Sequence, residues 1–277
     1  MPLSFLLPLI VQVGPVGAIP PKPLPIPRTK SAAVAPSAQP DRLKQCLDLA
    51  MVRPSDAIEV ASVWLKTATT MADRAGAKQC QALAYTRIEG WPEAAALFLS
   101  AREDTPVSEP NERARLGALA GNSQLAGGDA AAALAALDLA QADAAGGSDD
   151  KLRGGIEVDR ARALVALGRN DEAAVALTKA RILAPKNHHA WLLSATLSRR
   201  QGKLADAQAQ IERATELMPV DAEIGLEAGV IAVLSGRDES ARKSWLSVIK
   251  AAPGSPAAQT AQGYLDQLGS SAAPSGR

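Results

Sequence analysis

Aromatic residues are scarce in this 277-residue chain: four tryptophans, two tyrosines and two phenylalanines make up 3% of it. The apolar fraction is nevertheless 47%, and alanine supplies much of it. Alanine has the highest helix propensity, whereas the β-branched runs that favour strands are nearly absent, so the class expected is all-α. An excess of charge of either sign is also missing. Thirty basic residues balance 29 acidic ones, which leaves no net field to attract a polyanion and argues against nucleic acid as a partner.

Chemistry-bearing residues are few. The only histidines are His188 and His189; adjacent helical positions point about 100° apart and chelate one metal poorly. Their place at a helix start, beside Asn187, is the plainer reading. The sequence has no GxSxG, HExxH or GxxxxGK[ST], and no GxGxxG following a strand, which removes the usual signatures of catalysis. The acidic pairs Asp149–Asp150 and Asp171–Glu172 read as helix-start residues that complement the positive helix end. No catalytic residue, metal or cofactor is called for.

No apolar run reaches the ~20 residues of a transmembrane helix. Residues 1–18 do carry a shorter one, Leu3 to Val13, interrupted by Pro8 and Gln12 and followed by the small residues Val16-Gly17-Ala18. This resembles a secretory signal peptide, although no Lys or Arg precedes the run. Residues 19–40, with Pro20, Pro21, Pro23, Pro25, Pro27, Pro36 and Pro40, read as an extended or disordered linker, because proline lacks the N–H donor. The expected location is therefore the periplasm, in a form without a membrane span; a mis-assigned start would leave the chain in the cytoplasm. Cys46 and Cys80 are the only cysteines. An even number invites one disulfide in an oxidising compartment, and two inert buried thiols in a reducing one.

The chain is rich in repetition. Pro185, Pro219 and Pro253 are spaced by 34 residues, as are Gly168, Gly202 and Gly236, and Ala173, Ala207 and Ala241. The same interval relates Ala161, Ala195 and Gly229, and then Leu177, Ile211 and Trp245. Each column has a physical reason. The first small residue lets two helices cross closely; glycine ends the first helix with a positive φ; the large apolar residue fills the space between hairpins; proline closes the unit.

These columns resemble the tetratricopeptide repeat, W-x2-L-G-x2-Y…G…A-x3-F-x2-A-x4-P. Unit 188–221 fits best through Trp191, Ala195, Gly202, Ala207, Ile211, Ala214 and Pro219, and units 154–187 and 222–255 follow. Departures are Ser194 in place of leucine, and Glu157 and Gly225 in place of an aromatic. Looser units are expected at about 114–147, 76–106 and 41–69, the second with Gly90 as its turn glycine and one residue missing from that turn. Residues 143–150 read as an enlarged loop, 256–268 as a capping helix and 269–277 as a disordered tail.

The resemblance implies a right-handed superhelical solenoid of helix-turn-helix hairpins whose first helices line a concave, partner-binding groove. Carried onto this chain, the groove positions include Asn122, Val158, Arg162, Leu192, Thr196, Arg199 and Val230. The wall is basic in the centre and apolar toward the C-terminal end, which suits an extended peptide with an acidic residue and apolar neighbours. The carboxylate clamp of some family members fails here, since Ala118 stands where lysine is needed and Asp159 where asparagine is. Cys46 and Cys80 fall on successive first helices, where a bridge would close a loop of about 34 residues. The function expected is a non-enzymatic scaffold for a protein or peptide; the alternative is a self-associating cell-envelope assembly factor. An enzyme or accessory of envelope polysaccharide metabolism comes last.

Overall fold

The computed structural model describes residues 39–271. The expected signal peptide, nearly all of the linker and the last residues of the tail lie outside them. Among the described residues there are thirteen helices and no strand. They form six antiparallel hairpins: α1 (Gln39–Val52) with α2 (Pro54–Thr67), α3 (Met71–Arg87) with α4 (Trp91–Asp104), and α5 (Pro110–Ala126) with α6 (Ala130–Ala144). Then follow α7 (Asp150–Ala166) with α8 (Asn170–Leu183), α9 (His188–Arg200) with α10 (Leu204–Leu217), and α11 (Ala222–Leu234) with α12 (Asp238–Ala251). Helix α13 (Pro256–Ser271) closes the array. Helix α1 starts inside the expected linker and α13 runs three residues into the expected tail.

Two end signals alternate along the chain. Helices that open a hairpin are mostly started by a side chain. Thr70, Asp149, Asn187 and Asp221 accept from the backbone N–H groups of Asp73, Leu152, His189 and Ile224. These bonds satisfy donors that have no partner inside the helix. The turn inside a hairpin instead uses positive φ, at Gly128, Gly168, Gly202 and Gly236. In the second hairpin that place is held by Glu89, at φ 60. The expectation of Gly90 as the turn glycine with a residue missing is thus corrected: the turn is full length, and Gly90 starts α4 instead. With this register Pro106, one residue past the α4 cap Thr105, joins the closing-proline column.

The expected enlarged loop at 143–150 is also shorter than its sequence suggests. Asp143 and Ala144 finish α6, and Asp150 begins α7. The added residues form an extra first turn of α7, 17 residues long against 13 in α9 and α11. Polar Gly/Asp composition hid this turn, because Asp149 is itself a good helix start.

The core is small residues packed around single large ones. Trp64, Phe98, Leu137, Leu177, Ile211 and Trp245, one per second helix, are 0–4% exposed. Opposite them stand Ala161 and Ala195, 1% and 0% exposed, and Gly229, where any side chain would overlap the Trp245 indole. The departures from the family pattern are accommodated individually. A Cβ on Gly225 would sit 2.5 Å from Val248 Cγ2. The Ser194 hydroxyl donates to the Ala190 carbonyl at 2.7 Å. Buried Glu157 accepts from Arg160 at 3.0 Å and from Gln141.

Odd-numbered helices touch one another along α5, α7, α9, α11 and α13 and at α1–α3, while even-numbered ones meet their hairpin partner and the next odd helix. The odd helices therefore crowd the inner side of the solenoid. No helix among the described residues is long and apolar enough to cross a membrane.

Candidate functional site

The inner face is built by positions that recur on α5, α7, α9, α11 and α13, and its polar residues cluster at the middle. Asn122 on α5 donates through Nδ2 to Asp159 Oδ2 on α7 at 2.8 Å, and Arg162 reaches the other Asp159 oxygen at 3.4 Å. Burial pushes the Asp159 carboxyl above its ordinary value; the Asn122 hydrogen bond and the Arg162 charge offset this in part. Asn122 Oδ1 is buried and has no hydrogen-bond partner. Such a group seeks a donor from water or from a ligand.

Toward the C-terminal side, Arg162 and Arg200 flank a cleft of about 210 Å³ between α7 and α9, with Thr196 on its wall and Leu177, Leu193 and Leu197 among its apolar lining. Arg162 keeps 55% of its side chain exposed. Arg200 is exposed as well. The following junction, α9 to α11, is closed by a fork. Arg199 Nε donates to Glu227 Oε1 at 2.6 Å and its Nη2 to Oε2 at 3.3 Å, with Arg199 21% and Glu227 12% exposed. Beyond it, α11 and α13 flank a second cleft of about 250 Å³, lined by Val230, Val233, Leu234, Trp245, Tyr264 and Leu268 with Gln267.

Of the residues expected on the groove, Asn122, Arg162, Thr196 and Val230 line this inner surface. Arg199 also lies there but is held by Glu227. Leu192 does not: at 6% exposure it packs with Ala195 and Ile211 inside the core. Val158, at 7%, is likewise buried. Both follow from helix geometry, since 192 and 195 share a face at i, i+3. Sequence reasoning placed Asp159 only as a departure from the carboxylate clamp, and it missed Glu227. Their signal was an acid at the same place in two units, 68 residues apart.

Cys46 on α1 and Cys80 on α3 have Cα atoms 5.8 Å apart, within the span that a disulfide bridges. The histidine rings of His188 and His189 lie 4.1 Å apart at the start of α9. The described residues contain no group of three or more His, Cys, Asp or Glu arranged to hold a metal ion.

Comparison with known proteins agrees with the geometry. The family described as tetratricopeptide repeat matches residues 158–207 and 192–256. No curated protein matches the sequence. Among solved structures, PilW, a widely conserved type IV pilus biogenesis factor, is similar with a TM-score of 0.66 at 18% identity, over 82% of this chain and 100% of that one. PilF of Pseudomonas aeruginosa is similar with a TM-score of 0.62 at 15% identity, over 82% and 99%. BtubC of P. vanneervenii follows at 0.59 and 14%, over 85% and 95%. At such identities the likeness is one of fold. The columns, the stacked hairpins and the family match over 158–256 agree: the chain folds as a solenoid of tetratricopeptide-repeat type.

Proposed function

We propose that this chain is a non-enzymatic scaffold that holds a protein or peptide in the groove lined by its odd-numbered helices. The observation that carries the reading is the use of inner-face positions. Arg162, Thr196 and Arg200 surround an open cleft, and Asn122, which shares Asp159 with Arg162, leaves a buried acceptor unused. None of the four is among the buried apolar residues that make the core. Filling the cleft tests it. Thr196→Trp should abolish co-purification of the partner while the folded state stays intact, whereas Ile182→Glu, on exposed α8 surface, should leave binding unchanged. Binding retained by Thr196→Trp would contradict the groove reading.

The chain works outside the cytoplasm, in the periplasm, with Cys46 and Cys80 oxidised to a disulfide. The leader-like residues 1–18 support this, as does a cysteine pair already at disulfide distance in the least regular part of the array. Cell fractionation with thiol trapping tests both points; a full-length, reduced chain in the cytosol would sink them. Self-association is the second reading, favoured by Met51, Val52, Val60 and Val63, all 46–75% exposed on the first hairpin. Sedimentation of the purified chain decides it, since a monomer at high concentration leaves that patch without this role.

A further inference from the structure

The two open clefts of the groove are the same cleft, repeated. Arg162 and Val230, Arg200 and Leu268, and Leu177 and Trp245 are each 68 residues apart, which is two 34-residue units. Thr196 and Tyr264 obey the same interval. Identical places in the solenoid thus carry opposite chemistries. The α7–α9 copy presents two guanidinium groups over an apolar floor, and the α11–α13 copy presents aliphatic and aromatic walls. The copy between them is closed by the Arg199–Glu227 fork.

We infer that the groove reads two side chains of one extended peptide, a carboxylate in the α7–α9 cleft and a bulky apolar group in the α11–α13 cleft. This rests on the groove reading proposed above. The carboxylate is chosen by charge: the cleft lining holds Arg162 and Arg200 and no acid, and the one acid that Arg162 touches, Asp159, is also engaged by Asn122. The apolar group is chosen by the absence of a charged side chain from the second lining. The fold also sets their separation. Neighbouring helix axes lie roughly 8–10 Å apart, so two steps span about 16–20 Å. An extended chain advances about 3.3 Å per residue, so the two side chains are about five or six residues apart. The closed copy between the clefts leaves the intervening residues without a pocket, and their identity free.

The test uses the folded chain and fluorescein-labelled peptides of Ala, Ser and Gln bearing one Glu and one Phe, in both orders, at separations from two to eight residues. Fluorescence anisotropy should give an affinity maximum at five or six residues. At that spacing, Glu→Gln in the peptide and Arg200→Ala in the protein should each weaken binding about tenfold, and together by little more than either alone. Leu268→Ser should erase the contribution of Phe and leave that of Glu. Binding that ignores spacing, or that treats Gln as Glu, would overturn the two-point reading; if Thr196→Trp still blocked such binding, the groove reading would survive alone. No binding by any peptide, with partner capture unaffected by Thr196→Trp, would remove both.

Discussion

Arg199 and Glu227 join the inner helices of two successive units through a paired hydrogen bond of 2.6 and 3.3 Å. Both side chains are largely removed from water, so deleting one leaves the other poorly solvated. Arg199→Ala should therefore cost about 1–3 kcal/mol in a urea unfolding curve. Glu227→Gln, which keeps an acceptor, should cost less. Equal and negligible losses from both would mean the fork does not hold α9 to α11.

The second hairpin turns on a residue that dislikes its conformation. Glu89 adopts φ 60 where the later units use glycine. Glu89→Gly should relieve that strain, offset in part by the extra freedom of glycine in the unfolded chain, for a gain of about 0.5–1 kcal/mol. Gly168→Ala, at φ 74, should lose stability. Thermal midpoints of the two variants against the parent chain decide the matter.

If Cys46 and Cys80 are bridged, the cross-link closes 34 residues of sequence. In the chain-entropy account a loop of that length stabilises by about 3–4 kcal/mol. Reduction, or the Cys46→Ser/Cys80→Ser pair, should lower the unfolding midpoint by a corresponding amount. Faster proteolysis should begin within α1 and α2, where the bridge is the added tie. Insensitivity to reductant would place no bridge there.

Asp159 supplies a pH dependence whose sign is fixed. Its carboxyl is raised above 3.8, chiefly by burial, so the folded chain holds that proton more tightly than the unfolded chain. The contribution is fully present below the ordinary carboxylate value and is lost as pH rises through the window up to the raised one. Asp159→Asn should thus be more stable than the parent at neutral pH, with the difference closing toward about pH 3. A variant less stable at neutral pH would reverse the assignment.

What could be read in the sequence follows from which residues have only one workable place. Gly168, Gly202 and Gly236 must take positive φ, and Pro185, Pro219 and Pro253 must follow a helix; these fixed the last three units and the fold class. Upstream the same columns are filled by tolerated substitutes. Glu89 took a glycine position, so the neighbouring Gly90 drew the register off by one and concealed Pro106. The Gly/Asp-rich run at 143–150 looked like one long loop, but its two ends belong to α6 and α7 and only 145–149 lie between them, since Asp149 caps a helix well. For the site, spacing gave the inner face but not the direction of each side chain. Leu192 was expected in the groove and is buried, while Glu227 was needed there to engage Arg199. Pairings between units are long-range facts that a one-dimensional pattern does not carry.

The central claim, that the inner face holds the partner, is tested most directly by photo-crosslinking in living cells. A photoreactive residue would replace Thr196 on the inner face in one strain and Ile182 on exposed α8 surface in another. The expected result is a discrete adduct from position 196, absent at 182 and lost when Arg162 and Arg200 are both changed to alanine. An adduct from position 182 alone, with none from 196, would contradict the account.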